Sequence, residues 1–273
     1  MYPIVFEVKH IFKDDGFHSK LFDAAVANYF DLNNPIRFNN FCYALRELIR
    51  EKLITTSPDD EVKKCVWYDK NQKNVTRVDR IRFLIMNGLS NDVVDAEMIK
   101  QVLVSSNKLK KHINTLSKYT HITQKSIQID FYDGDKLFED VLKQIKECFE
   151  LIEKVRKQVL DQIIDEAQND IEDALIVELP SEIEELSTHS TIDSVIDVSI
   201  SIENIDCNSI HFTGSGSVEV ELQYGSNSDL RNDNGATDNK NFPFKFKFTT
   251  SVENLSDREY CIDEIDTSSY YED

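Results

Sequence analysis

From Leu137 to Ile163 the apolar residues Leu137, Val141, Ile145, Cys148, Ile152, Val155, Val159 and Ile163 recur at steps of 4, 4, 3, 4, 3, 4 and 4. A mean step close to 3.6 puts them on one face of a helix, so the segment predicts one long amphipathic helix that must bury that face. Asp133-Gly134-Asp135 opens it, and the acidic stretch Asp165–Glu185, punctuated by Pro180, reads as helix followed by linker. Leu142, Phe149 and Leu160 widen the stripe beyond an a/d seam, which favours packing in a bundle over a dimer-forming coiled coil. Past this helix the apolar period changes to two. Ile196, Val198, Ile200 and Ile202 alternate with polar residues, as do Val218, Val220, Leu222 and Tyr224, and FPFKFKF (242–248) alternates phenylalanines with lysines. That pattern belongs to strands with one buried face.

The first half reads as further helices. Apolar periodicity predicts them at 17–32, from after Asn33-Asn34-Pro35 to about Leu53, from Ser57-Pro58-Asp59-Asp60 to near Trp67-Tyr68, over Val75–Met86, and around 92–104 and 107–119. In the β-region, Gly214-Ser215-Gly216 reads as a hairpin turn, and 225–241 is polar enough to predict a loop. The expectation is therefore an α+β, two-domain protein. An all-α bundle over 1–178 is followed by an acidic linker at 179–192 and a small antiparallel β-sandwich or open barrel over 193–273.

Composition bounds what such a protein does. No stretch approaches the roughly 20 uncharged apolar residues that span a bilayer, and MYPIVFEVKHIFKDDG carries charges through its apolar run, unlike a signal peptide. Cys42, Cys65, Cys148, Cys207 and Cys261 are scattered with no pair at CxxC spacing. They imply neither a disulfide framework nor a zinc site, and read as small buried apolar residues in a reducing cytoplasm. No cofactor and no metal are expected, nor any membrane partner. The net charge of −19 is unevenly spread: residues 1–129 hold 20 Lys and Arg against 15 Asp and Glu, and residues 130–273 hold 11 against 35. Such asymmetry points to parts with different partners.

The chemistry-bearing residues concentrate in 98–129, a run of 32 residues without Asp or Glu. It holds Lys100, Lys108, Lys110, Lys111, Lys118, Lys125, His112 and His121. Helical spacing over 107–119 brings Lys108, Lys111, His112 and Lys118 near one face, a strip suited to the phosphates of a nucleic acid. The same strip also suits a solvated face paired with the acidic half of the chain. Arg77 and Arg80 share a face and could complete a phosphate site, whereas Arg46 and Arg50 with Glu47 and Glu51 read as ordinary surface pairs. Trp67-Tyr68 could stack on a base or sit in the core. The acids of 161–185 read as solvated charge.

Three segments, FNNFCYALRELIREKL (38–53), VWYDKNQKNVTRVDRIRF (66–83) and LSKYTHI (116–122), resemble the HEPN superfamily, helical-bundle domains of prokaryotic toxins, antiviral defence proteins and RNases. The likeness covers roughly 17–165. Active HEPN domains carry an arginine, then four to six intervening residues, then a histidine at a helix end, and cleave RNA without metal. His121 matches that histidine. The arginine has no counterpart at Asn114, Thr115 or Leu116, and the nearest bases are Lys118 and Lys111. The resemblance implies a metal-independent endoribonuclease or RNA binder of defence or toxin–antitoxin systems. His121 would transfer protons, with Lys118 beside it, and Lys108, Lys111, His112, Arg77 and Arg80 would hold phosphate. A histidine there could equally cap the helix. IHFTGSGSVEVELQYGSNSD with FPFKFKF resembles β-modules appended to predicted PIWI-associated defence nucleases. The expected partners are RNA, a protein gripped by the β-domain, and a second copy in a homodimer or higher oligomer. The rival expectation is a non-enzymatic adaptor or sensor that dimerises through the bundle.

Overall fold

Capping chemistry sets several helix boundaries in the computed structural model, which describes residues 2–13, 15–177 and 179–271. The N-terminal helices are α1 (Pro3–Ile11), α2 (Gly16–Phe30), α3 (Arg37–Thr56), α4 (Asp59–Lys64), α5 (Arg77–Met86), α6 (Ala96–Tyr119) and α7 (Gln124–Ile127). Asp15 caps α2 by accepting the His18 N–H, and Thr76 and Asp79 form a reciprocal capping box at the start of α5. Then come α8 (Phe131–Val177), α9 (Ser181–Glu184), β1 (His189–Ile205), β2 (Ser209–Tyr224), α10 (Asn227–Arg231), β3 (Ala236–Ser251) and β4 (Arg258–Ile265). The chain divides into two compact units, Met1–Arg156 and Lys157–Asp273, and the division falls inside α8.

In the first unit α3 is the central element, packing against α2, α5 and α6. Its buried side carries Phe38, Phe41, Cys42, Leu45, Leu48, Ile49 and Leu53. The predicted break between two helices near Ser105-Ser106 does not occur. Ser106 Oγ donates back to the Val102 carbonyl at 2.7 Å, and Ser105 Oγ accepts from Gln144 Nε2 at 2.8 Å. With both buried hydroxyls satisfied, α6 runs on unbroken. Helix α8 begins at Phe131, ahead of the expected Asp133, and carries Gly134 within it. In this unit it buries Phe138, Val141, Leu142, Ile145, Cys148, Leu151 and Val155.

In the second unit the strands form one four-stranded antiparallel sheet in the order β1-β2-β3-β4, a single sheet where strand pattern alone suggested a sandwich or open barrel. The α8 residues Val159, Ile163, Ala167, Ile171 and Leu175 are buried here. Asp170 of α8 accepts from Arg258 Nε at 2.7 Å and from the Tyr260 hydroxyl at 2.8 Å, which ties the helix to β4. Asp170 and Glu166 both hold Arg258, whose side chain is only 7% exposed, while the two carboxylates themselves remain open to solvent.

Two corrections concern the strands. Gly214-Ser215-Gly216 is not a turn but the middle of β2. Gly214 pairs with Phe246 and Gly216 with Phe244, and a Cβ on Gly214 would run into the Phe246 ring and lie 2.6 Å from the Ser199 carbonyl oxygen. The glycines therefore make room for the aromatic rings of β3, the other meaning of glycine within a strand. Nor is 225–241 all loop: α10 and the first residues of β3 lie in it, and 236–241 are carried into the sheet by backbone pairing with 219–224. The cysteines are unbridged among the described residues; four are buried, as expected, and Cys261 is exposed. No helix of the described residues is long and apolar enough to cross a membrane.

Gly214→Ala should lower stability by about 1–3 kcal/mol, the cost of overpacking. Gly16→Ala, where a Cβ meets nothing within 4 Å, should change it by less than about 0.5 kcal/mol. Urea unfolding followed by circular dichroism measures both, and equal midpoints would refute the packing role of Gly214.

Candidate nucleic-acid interface

Arg46 and Arg50 stand one helical turn apart on α3, with Glu47 between them, and Arg77 and Arg80 occupy the first turn of α5. The four line one cleft of about 470 Å³ with Glu47, Leu53, Ile54 and, from α6, Ile113. The capping box fixes the start of α5 and so aims Arg77 and Arg80. Asp79 Oδ2 accepts from the Thr76 N–H at 2.7 Å and from Gln72 Nε2 at 2.6 Å.

Guanidinium groups remain charged at any working pH, so their convergence needs compensation. Glu47 accepts from Arg46 Nε at 3.0 Å and Nη2 at 2.5 Å, and from Arg50 Nε at 2.8 Å. Burial pushes the Glu47 carboxyl up, but the hydrogen bonds from Arg46 and Arg50 outweigh it and hold the group below its ordinary value. Arg50 also reaches Glu51, and Arg80 is held by Asp59 and the Ser57 carbonyl, each at 2.5 Å. Arg77 differs from these. It is exposed, and its Nη1 donates at 2.8 Å to the uncharged side chain of Asn114. A cleft built this way presents planar donors and surplus positive charge, which suits a phosphate.

The sequence-derived candidates fall into three places. Arg77 and Arg80 enter the cleft. Lys108 and Lys111 lie instead on another groove, with Ala96, Ile99, Lys100, Leu103, Val104 and Asn107, and Lys108 faces Glu147 of α8 at 3.6 Å. His112 is half-buried; burial lowers its pKa, Asp140 opposes that, and Lys111 and Lys108 add to it. Lys118 and His121 are exposed at the C-terminal end of α6. Here Asn39 of α3 donates to the Tyr119 carbonyl at 2.8 Å and to Ser126 Oγ at 3.0 Å, while Ser126 Oγ donates to the His121 carbonyl at 3.0 Å. The turn that carries His121 is thereby pinned to α3. The helix end is capped by Thr120 and Asn39, not by the imidazole.

Arg46 links this turn to the cleft, since its Nη1 donates to Thr120 Oγ1 at 3.3 Å, one residue before His121. By sequence alone Arg46 and Arg50 read as ordinary surface pairs. Their i, i+4 spacing around a glutamate was visible, but the arginines on α5 that share their cleft lie some 30 positions on. Trp67 is half-buried under the Arg82 guanidinium, 4.3 Å from its ring centroid, and donates to the Asn87 carbonyl. Among the described residues, no three His, Cys, Asp or Glu side chains are grouped to hold a metal ion.

Because the folded-state pKa of Glu47 lies below its ordinary value of 4.5, this group stabilises the fold above that value. The contribution is lost as pH falls through the depressed pKa. Glu47→Gln should therefore melt lower at neutral pH and lose less stability than wild type between about pH 5 and pH 3. Parallel melting curves for the two proteins across that range would show that the carboxylate does not organise the arginines.

Residues 9–145 match a family model described as predicted pPIWI-associating nuclease, and residues 152–271 match a second model of the same description. No curated protein and no solved structure matches the chain. Two matches that together take in nearly all of a chain whose first unit carries a four-arginine cleft place this protein in the family of predicted pPIWI-associating nucleases.

Proposed function

We propose that the chain binds RNA in the arginine cleft and cleaves it by HEPN-like, metal-independent chemistry in prokaryotic defence. The observation that carries the proposal is Arg46. It lines the cleft and also reaches the turn bearing His121, so an arginine from α3 supplies the cation that the local histidine motif lacks. In the reaction, a base takes the proton of the ribose 2′-OH, the 2′-oxygen attacks phosphorus, the P–O5′ bond breaks, and an acid protonates the departing 5′-oxygen. His121 serves one or other proton transfer, since imidazole titrates near neutral pH. Arg46, with Lys118 at the helix end, neutralises the pentavalent phosphate. Arg50, Arg77 and Arg80 hold neighbouring phosphates, and Lys108 and Lys111 at the separate groove of α6, with His112, would make a second contact. A homodimer would supply the second histidine. The C-terminal sheet would act as a recognition or regulatory module.

Incubation of the purified protein with labelled tRNA and single-stranded RNA, with and without EDTA, tests this directly. His121→Ala should lower cleavage about 100-fold or more with little change in affinity. Arg77→Gln should weaken binding and reduce the salt slope by about one. Cleavage abolished by EDTA would overturn the metal-independent chemistry. RNA binding without turnover would replace the enzyme with the adaptor reading, and no RNA binding at all would sink both the cleavage and the RNA contact.

A further inference from the structure

Tyr43 lies on α3 one turn before Arg46 and Glu47 and two turns before Arg50. It is 55% exposed, although its neighbours Phe41, Cys42 and Leu45 are fully buried. Among the described residues its hydroxyl makes no hydrogen bond. Tyrosine normally buries its ring and satisfies its hydroxyl, so the fold draws little from this side chain. Among the described residues its one ring contact is the Arg46 guanidinium, 5.5 Å from the centroid. Arg46 is itself fixed by Glu47 and Thr120. The ring therefore sits against an arginine that both lines the cleft and reaches the turn bearing His121.

We infer that Tyr43 is a stacking platform for an unpaired base, which makes single-stranded RNA the substrate class of the cleft. The inference rests on the RNA-binding reading above. A single strand offers a protein both phosphates and open base faces, and sites for it combine cations with exposed aromatic rings. A duplex keeps its bases stacked inside and presents no such face. From Tyr43 to Arg50 the helix advances about 10 Å, so a strand lying along α3 meets the platform and the arginines with successive nucleotides. The Arg46 guanidinium beside the ring adds a cation at the same point.

Fluorescence anisotropy of the full chain tests this with three labelled probes: oligouridylate, an abasic oligonucleotide of the same length, and an RNA hairpin stem. Wild type should bind the oligouridylate most tightly. Tyr43→Ala should weaken that binding about tenfold, in the range measured for loss of one base stack. It should leave the abasic strand and the salt slope unchanged, and Tyr43→Phe should behave as wild type. If Tyr43→Ala binds oligouridylate normally while Arg77→Gln loses affinity for every probe, the platform is refuted and the phosphate cleft stands. Equal losses on the abasic strand would also refute stacking, because the ring would then only position Arg46. Wild-type protein that binds none of the probes overturns the RNA-binding reading and the platform together.

Discussion

Burial of one face of α3 against α2, α5 and α6 is the interaction on which the candidate site depends. Phe38, Phe41, Leu45, Leu48 and Leu53 fix the rotation of the helix about its axis. Once that rotation is set, the 3.6-residue period dictates where every other side chain of α3 points. Arg46, Glu47 and Arg50 then line the cleft shared with α5 and with Ile113 of α6, and Tyr43 lies one turn before Arg46. Deleting a buried residue of α3 would therefore disturb the arginines without touching any of them.

Charge is arranged in two ways along this chain. In the first unit, acids are placed to hold arginines in register and to leave charge over: Glu47 bridges two of them, Asp59 takes a third, and Arg77 meets only an amide. In the second unit acids are far in excess, and two of them have a packing role. Glu166 and Asp170 grip Arg258, and Asp170 also takes the Tyr260 hydroxyl. A net charge of −19 thus says little about the surface that an anion meets. The local balance decides it, because screening confines surface charge to about 10 Å at ordinary ionic strength.

The places where sequence patterns misled share a cause. Gly214 and Gly216 carry the composition of a turn, and only the register with Phe246 and Phe244 shows that they are clearance for rings. The polar run 236–241 has no apolar alternation, yet it is strand because β2 offers it a full ladder of backbone partners. Ser105-Ser106 resembles a helix boundary until Gln144 and the Val102 carbonyl satisfy the hydroxyls. In each case a specific hydrogen-bonding or packing partner outweighed the local preference.

Periodicity alone determined the helical first half, the long amphipathic α8, the alternating strands of the second half and hence the α+β class. Those are properties of side chains repeated along one element, and solvent exclusion acts on them wherever the element lies. The same sequence displayed His121, Arg77 and Arg80 as candidates and showed that the local histidine motif has no arginine. Only the tertiary structure decided that Arg46 and Arg50 join Arg77 and Arg80 around one cleft and that Arg46 reaches the His121 turn. It also placed Lys108 and Lys111 on a different groove. A binding cleft is a relation between side chains on separate elements, and no periodicity within one element encodes which neighbour it will face.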